Sequence, residues 1–413
     1  MKGPTEPEIG KFVVLAILSL FLLSLLLGTT VVGSIGRGSG AGMASPLKAS
    51  LSSNDSIGAA QLTLAEQTLQ AGKGPRMGAS IQCTSTVVFT SAECDSTNQL
   101  NSDSSKLSFP STASSTHPSA RLAAGLTYDA KDGYVILFGG MNATAYLGDT
   151  WKFVGGIWTK LSPTTHPSAR AGVGLAYDDK DGYVVLFGGA AACNSTSCSS
   201  TPRDTWKFEG GVWTKLTPTT SPPGLVLPSL TYDVKDGYVV LFGGLNGSKW
   251  LSGTWTFVGG VWTKLSTAIH PSARNQPSMA YDAKDGYVVL FGGVTNSYAY
   301  LNDTWKFQGG SWKKLSPANH PSARFQASSA YDTKDGYLVL FGGYYGTSLN
   351  DTWKFVGGAW TELSPAREPP ARIQASMTYD AKNGYVVLFG GQDNSGNDFG
   401  DTWTFVGDVW NES

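Results

Sequence analysis

The stretch from Tyr177 to Gly189 reads YDDKDGYVVLFGG, and close copies of it recur five more times along the chain. The Tyr that opens each copy recurs at periods of 48 to 55 residues, at Tyr128, Tyr177, Tyr232, Tyr281, Tyr331 and Tyr379. Repeats of this length indicate a propeller or a solenoid, because one copy cannot bury a core alone. The run YVVLF is apolar throughout and ends at two Gly, which predicts a strand that is buried on both faces.

Three more strands are predicted in each repeat. In the second copy they are Ala171–Tyr177, built from small residues, then Thr205–Phe208 (TWKF) and Val212–Leu216 (VWTKL). Asp-Gly and Gly-Gly pairs mark hairpin turns between the first and second strands and between the third and fourth. Small residues on the inner strand and charged residues on the outer one make a wedge, and wedges of four strands close into a ring.

Only one segment of the repeat varies in length. Two spacings are constant: the Tyr lies 12 residues before the second Gly of F-G-G, and the Trp of T-W-x-F lies 26 residues before the next Tyr. The spacing from that Gly to that Trp varies from 10 to 17 residues. This variable loop joins the second strand to the third. In a four-stranded meander it lies on the same face as the connector between blades.

The repeat resembles the kelch repeat. The resemblance rests on YVVLFGG, on the acidic residue before the aromatic third strand in LNDTWKF, and on WTKL, which recur together in six copies over about 297 residues. It implies an all-β fold, a six-bladed kelch β-propeller at 117–413 similar to the central domain of galactose oxidase. Many kelch rings close through a blade made from both chain ends, whereas here each repeat supplies its own strands. Closure is therefore expected either to be weak or to use an added strand at Thr86–Thr90.

The amino-terminal third of the chain is predicted to hold the propeller outside the cell. Residues 12–33 contain 21 consecutive uncharged positions, and a helix of that length spans roughly 31 Å, enough to cross a bilayer. Residues 1–11 would form a short cytoplasmic tail, and the Ser/Thr/Gly-rich residues 34–116 a flexible stalk. An uncleaved anchor gives a cell-surface protein, and a cleaved signal peptide, the alternative, gives a secreted one.

Cysteines and glycosylation motifs agree with an extracytoplasmic location. Cys83 with Cys94 and Cys193 with Cys198 are predicted to form two small-loop disulfides, and four free thiols are the alternative. Seven N-x-S/T acceptors predict a glycoprotein. They are Asn54, Asn142, Asn194, Asn246, Asn302, Asn350 and Asn411.

The connector between blades supplies candidate ligand-binding residues. The motif H-P-S-A-R, with E-P-P-A-R in repeat 6, ends seven residues before five of the six Tyr, and Leu225 stands at the sixth position. It is expected to place its Arg around the channel mouth, at Arg121, Arg170, Arg274, Arg324 and Arg372. In kelch-type propellers Arg at this position commonly engages acidic groups of a partner. The alternative is that each Arg binds connector carbonyls of its own chain. Gln276, Gln326 and Gln374 would extend the polar site.

Aromatic residues outside the repeat framework supply a second set of candidates. The five Tyr and the one Trp that have no counterparts in the other repeats all fall in the variable loops, at Tyr146, Trp250, Tyr298, Tyr300, Tyr344 and Tyr345. Aromatic side chains in loops on a rigid scaffold are typical of binding surfaces. Folding back to cap the blades is the other interpretation.

Several function classes are disfavoured by the sequence. Lys and Arg number 30 against 31 Asp and Glu, which leaves no basic excess for a nucleic-acid partner. All four His occupy the same connector position and so spread around the ring, which predicts no metal site, and no cofactor motif is present. Some kelch propellers are copper-radical oxidases, which need a Tyr, a Cys and two His at one copper centre. This sequence offers no matching set of residues at one place.

The sequence therefore predicts a non-enzymatic binding or adhesion module at the cell surface. Its expected ligand is a glycan or an acidic protein segment, bound on the face of the connector Arg and the variable loops. A purely structural surface protein is one alternative. A sugar epimerase-like kelch enzyme is another, and its candidate acid or base residues are Asp393, Asp398 and Glu368.

Overall fold

The computed structural model describes residues 116–193 and 198–413. The predicted tail, membrane segment and stalk lie outside the described residues, apart from Thr116, and so do Cys83, Cys94 and Thr86–Thr90. Within the described ranges, no helix is long and apolar enough to span a bilayer.

The described residues form a six-bladed β-propeller. Each repeat makes one four-stranded antiparallel sheet in which neighbouring strands follow one another along the chain. Blade 1 contains β1 (Gly125–Asp129), β2 (Tyr134–Phe138), β3 (Thr150–Val154) and β4 (Ile157–Leu161); blade 2 contains β5 (Gly174–Asp178), β6 (Tyr183–Phe187), β9 (Thr205–Glu209) and β10 (Val212–Leu216). Blade 3 contains β11 (Ser229–Asp233), β12 (Tyr238–Phe242), β15 (Thr254–Val258) and β16 (Val261–Leu265); blade 4 contains β18 (Ser278–Asp282), β19 (Tyr287–Phe291), β21 (Thr304–Gln308) and β22 (Ser311–Leu315). Blade 5 contains β23 (Ser328–Asp332), β24 (Tyr337–Phe341), β25 (Thr352–Val356) and β26 (Ala359–Leu363); blade 6 contains β27 (Ser376–Asp380), β28 (Tyr385–Phe389), β29 (Thr402–Val406) and β30 (Val409–Glu412).

Three pairs of short strands lie in the variable loops and connectors. They are β7 (Ala192–Cys193) with β8 (Cys198–Ser200), β13 (Leu245–Asn246) with β14 (Lys249–Trp250), and β17 (Arg274–Asn275) with β20 (Val294–Thr295). Cys193 and Cys198 are backbone partners across the first pair. Their disulfide stays a prediction.

The innermost strand starts later than the sequence predicts. In blade 2 it runs from Gly174 to Asp178 rather than from Ala171 to Tyr177. Gly172 has a φ of 65°, which interrupts the extended backbone. The same left-handed conformation occurs two residues after the Arg position in all six blades, at Ala123, Gly172, Leu227, Gln276, Gln326 and Gln374.

The hydrophobic core lies between the blades. In β2, Val135 and Leu137 pack against blade 6, whereas Ile136 and Phe138 pack against blade 2. All four side chains are fully buried. The prediction that the second strand is buried on both faces is therefore confirmed, since alternate residues of one strand fill two different interfaces.

A Trp in each fourth strand joins its blade to the preceding one. Trp213 packs edge-on against Phe138 of blade 1 with ring centroids 5.2 Å apart, and its Nε1–H donates to Thr150 Oγ1 at 3.0 Å. Burial of a large ring and a satisfied indole donor both stabilise the interface. The equivalent donors are Trp158, Trp213, Trp262, Trp312, Trp360 and Trp410.

The last blade meets the first through the same contacts. Trp158 of blade 1 donates to Thr402 Oγ1 of blade 6 at 2.9 Å and packs against Phe389. Ser376 Oγ also donates to the carbonyl of Ala124 at 2.8 Å. In the part of the chain that the structure describes, ring closure uses no strand shared between the two chain ends.

The opposite face is formed by six nearly identical turns. In blade 2, Asp178 Oδ1 accepts the backbone N–H of Asp181 at 3.2 Å, which fixes the D-x-K-D-G turn. Asp178 Oδ2 and Asp233 Oδ2 are buried without a hydrogen-bond partner among the described residues. Burial raises the pKa of each of these carboxyls to about 6, against the lowering effect of the turn N–H groups.

Replacing Asp178 or Asp233 with Asn is expected to stabilise the protein at neutral pH. A carboxyl whose pKa rises on folding binds its proton more tightly in the native state, so its stabilising effect is present below pH 4 and is lost as pH rises through about 6. Asn keeps the acceptor without the buried charge and should raise the free energy of unfolding at pH 7 by about 1 kcal/mol or more.

Denaturant unfolding of wild type and variant at pH 7 and pH 4.5 measures this effect. The gain should be large at pH 7 and small at pH 4.5. An equal loss of stability at both pH values would contradict this account, because it would show that the buried charge does not decide the stability of the turn.

Candidate functional site

The face that carries the variable loops and connectors contains every residue predicted to bind a ligand. Its framework is a clamp that forms around each connector Arg. Arg121 Nη1 and Nη2 donate to the two carboxylate oxygens of Asp149, at 2.6 and 2.9 Å. Nη1 also donates to the carbonyl of Gly139, and Nε and Nη2 donate to the backbone and side chain of Ser119. All five guanidinium N–H donors of Arg121 are thus used within the chain.

The clamp recurs in five blades. The pairs are Arg121–Asp149, Arg170–Asp204, Arg274–Asp303, Arg324–Asp351 and Arg372–Asp401, with Arg–carboxylate distances of 2.5 to 2.6 Å. The Arg side chains are at most 2% exposed and the Asp side chains 14 to 23%. Arg372 lacks the hydroxyl acceptor, because Pro370 stands where the other connectors have Ser, and its guanidinium lies over the Phe399 ring, 4.0 Å from the centroid.

The clamp also sets the charge state of its acids. For Asp149, Asp204 and Asp303, burial alone would raise the pKa. The hydrogen bonds and positive charge of the paired Arg outweigh that effect and hold the pKa of each carboxyl below its usual value. These three carboxyls therefore remain ionised at neutral pH.

Blade 3 lacks both members of the clamp. Leu225 stands at the Arg position and Gly253 at the Asp position. Leu225 is 1% exposed and packs in the core between blades 2 and 3, near Leu251 and Trp255. Because blade 3 lacks both the Arg and the Asp, neither charge is buried there without its partner.

The Arg side chains therefore lie below the surface of the channel mouth. The predicted role of Arg121, Arg170, Arg274, Arg324 and Arg372 in ligand binding stays a prediction, and the structure shows each of them bound by its own blade. Sequence reasoning missed the Asp partners. The joint loss of Arg and Asp in repeat 3 was the signal that could have identified them.

The mouth of the central channel is lined by residues that begin two positions after the connector Arg. Gln276, Gln326 and Gln374 lie side by side in blades 4 to 6, and Ala123, Gly172 and Leu227 occupy the same position in blades 1 to 3. Backbone bonds link these positions around the mouth, for example from Gln326 N–H to the carbonyl of Gln276 at 3.2 Å. The three predicted Gln residues are thus brought together.

Most of the predicted loop aromatics also come together. Trp250, Tyr298, Tyr300 and Tyr344 form one cluster with Phe325, which sequence reasoning had not singled out. Tyr300 stacks on Phe325 with ring centroids 5.4 Å apart, and Tyr345 packs edge-on against Tyr300 at 5.7 Å. We call these six residues from blades 3, 4 and 5 the aromatic platform.

The platform has a buried base and an exposed upper ring. Trp250 is only 8% exposed and contacts Tyr298, whose ring centroid lies 5.6 Å away. Tyr345 is 53% exposed. Asn296 Oδ1 accepts the backbone N–H of Trp250 and so ties two loops together. Tyr146 lies elsewhere, in a small cluster of blades 1 and 2 with Leu122 and Met141.

The acidic candidates for an epimerase-like reaction do not lie at the channel mouth. Asp398 Oδ1 accepts from Gln392 Nε2 at 2.9 Å, and its Oδ2 accepts from Ala143 N. Asp393 holds the turn of the same loop, and Glu368 accepts from Asn350 near the outer rim. In the described ranges, no three His, Cys, Asp or Glu side chains are grouped to hold a metal ion.

No protein-family model matches the chain, and no curated protein matches it in sequence. The function proposed below therefore depends on the geometry of this face and on the sequence motifs.

Replacing Arg274 alone with Leu is expected to destabilise the propeller by about 3 kcal/mol, because it leaves Asp303 largely buried without its cation. The double variant Arg274→Leu with Asp303→Gly copies blade 3 and should recover most of that loss. Thermal or denaturant unfolding of the two single variants and the double variant measures the coupling. Additive losses would contradict the account.

Proposed function

We propose that the chain is a non-enzymatic binding module, a kelch-type propeller displayed at the cell surface that recognises a glycan on its variable-loop face. The observation that carries the proposal is the aromatic platform. Three blades contribute rings to it, and Tyr345 stands exposed above a buried support. Rigid aromatic side chains offer large contact area at low entropic cost, which suits the C–H faces of sugar rings.

A glycan is favoured over an acidic peptide because the five connector Arg side chains are already paired with Asp. Recognition of an acidic segment by Arg121 or Arg274 would require the Arg to release Asp149 or Asp303, the carboxyl whose pKa it holds low. Breaking a buried charge pair leaves an uncompensated charge and is strongly unfavourable. The aromatic platform needs no such rearrangement.

The kelch assignment and the cell-surface location are supported by sequence. The double Gly, the acidic residue before the third strand and the W-T-K-L segment all recur in a fold that has six blades. The uncharged residues 12–32 fit a membrane anchor. Among the seven glycosylation motifs, Asn302, Asn350 and Asn411 are exposed.

The channel mouth supports a binding role rather than catalysis. Its lining consists of Ala, Gly, Val, Leu, Pro, Ser and Gln, without an acidic or basic side chain among the described residues. General acid or base catalysis needs a titratable group within reach of the substrate.

An array of neutral, sialylated and sulfated glycans together with acidic peptides, probed with the full-length chain in detergent, tests the proposal. Wild type should bind neutral glycans. Tyr345→Ala should weaken that binding about fivefold to thirtyfold, since an exposed aromatic anchor contributes on the order of 1 to 2 kcal/mol.

Tyr146→Ala is the matched control, because it removes a loop Tyr outside the platform, and it should leave the affinity unchanged. Absence of glycan binding by folded protein would favour a structural role. Selective binding of acidic peptides would also contradict the proposal.

A further inference from the structure

The channel mouth contains a cavity of about 150 Å³ with two chemically different sides. Side-chain amides of Gln276, Gln326 and Gln374 line one side. The other side is apolar and includes Leu227 and Val173. The cavity continues into a channel of about 190 Å³ between the innermost strands.

Several amide atoms at this mouth lack partners. Both polar atoms of the Gln276 side chain and Oε1 of Gln326 have no hydrogen-bond partner among the described residues. The two residues are only 7% and 6% exposed. Buried polar atoms are normally paired, because an unpaired one costs about 1 to 3 kcal/mol. A partner that enters through the mouth, which both residues line, would satisfy these amides.

A neighbouring residue strengthens this argument. Asn275 is fully buried, and neither of its side-chain polar atoms has a partner in the described part of the chain. The other five blades place an apolar residue at this position, such as Val226 and Phe325. Blade 4 thus introduces unpaired amides at two consecutive positions where packing alone would favour hydrocarbon side chains.

The chemistry of the lining defines the ligand. The absence of charged side chains from the described lining disfavours an ionic ligand, because a buried charge needs a counterion. Each carboxamide offers a donor and an acceptor, which matches a pair of hydroxyl groups. An apolar side opposite a hydrogen-bonding side matches a sugar ring, which has a C–H face and a hydroxyl edge.

We infer that the channel mouth is a second binding site, which takes one uncharged sugar residue through Gln276 and Gln326. It deepens the proposed glycan binding and rests on it for the ligand class, but it uses different residues from the aromatic platform. Phe325 belongs to the platform and Gln326 to the mouth, so the two sites meet at one connector. A glycan chain could therefore occupy both sites, with its terminal residue in the mouth.

Leu at these two positions supplies the test. Leu227 already adopts the same backbone conformation in blade 3, with φ 55° against 52° for Gln276, so Leu is compatible with the fold. Gln276→Leu with Gln326→Leu removes unpaired buried amides and should leave the unfolding temperature equal to or above that of wild type. A purely structural role for the amides predicts a lower temperature instead.

Saturation-transfer NMR and calorimetry with the full-length chain measure binding of free glucose, galactose and N-acetylglucosamine, with glucuronate as the charged probe. At least one neutral sugar should bind wild type, and more tightly than glucuronate. The double Leu variant should lose at least tenfold in affinity. Tyr345→Ala should weaken oligosaccharide binding, whereas Tyr146→Ala, whose residue lies outside both sites, should keep the wild-type affinity for the free sugar within twofold.

Failure of this inference can be distinguished from failure of the platform. The mouth site is refuted if folded wild type binds none of the neutral sugars, if glucuronate binds equally well, or if the double Leu variant retains wild-type affinity. Should the double variant not fold, the single Gln276→Leu variant is judged by the same loss. Loss of oligosaccharide binding in Tyr345→Ala with none in the Leu variant would support the platform and overturn the mouth.

Discussion

The bidentate ion pair between a connector Arg and the Asp before the third strand closes the base of the variable loop in five of the six blades. Through Arg121, the carbonyl of Gly139 at the loop's start is tied to Asp149 at its end. The buried ion pair is bidentate, and its remaining donors are bound by Ser119, so the loop leaves and re-enters the blade at fixed points. Length and composition between those points are then free to differ from blade to blade.

This constraint explains why the candidate site consists of departures from the repeat. The Trp contacts between blades and the Asp-Gly turns are nearly the same around the ring, and they position the loops without distinguishing them. Aromatic rings concentrate on blades 3 to 5, and amides concentrate on blades 4 to 6 at the mouth. Blade 3 shows that a clamp can be replaced by an apolar side chain, Leu225, when both charges are absent. A platform and a cavity that share one connector give the face its asymmetry.

Most of the fold could be predicted from the sequence because it depends on short-range patterns that occur six times. The YVVLF run, the Gly turns and the constant spacings define strand order and identify the face that varies. The start of the innermost strand was misplaced, because nothing local in AGVGLAY reports the left-handed backbone at Gly172. The repeat pattern predicts that the connector Arg residues lie near the mouth of the channel. The sequence pattern does not show whether the Arg170 guanidinium faces a ligand or Asp204, because Asp204 lies 34 residues further along the chain.

The candidate site was harder to predict for a similar reason. Loop aromatics could be selected because they have no counterparts in other repeats. Phe325 was not selected, since its position holds an apolar residue in four other blades and it joins the platform only through tertiary packing. The unpaired amides of Asn275 and Gln276 are also visible only in three dimensions, because a Gln or Asn in a sequence carries no sign of whether its partners are present.

The central claim is that ligands bind to the residues that depart from the repeat, whereas the repeated clamps and Trp contacts stay unchanged. The most direct test is a ¹⁵N spectrum of the indole N–H groups of the full-length chain in detergent, titrated with a glycan that binds. The chain has 13 Trp, of which Trp250 alone lies outside the framework. The account predicts that the Trp250 resonance shifts on binding while those of the six fourth-strand Trp residues do not. Shifts confined to framework Trp, with Trp250 unchanged, would contradict it.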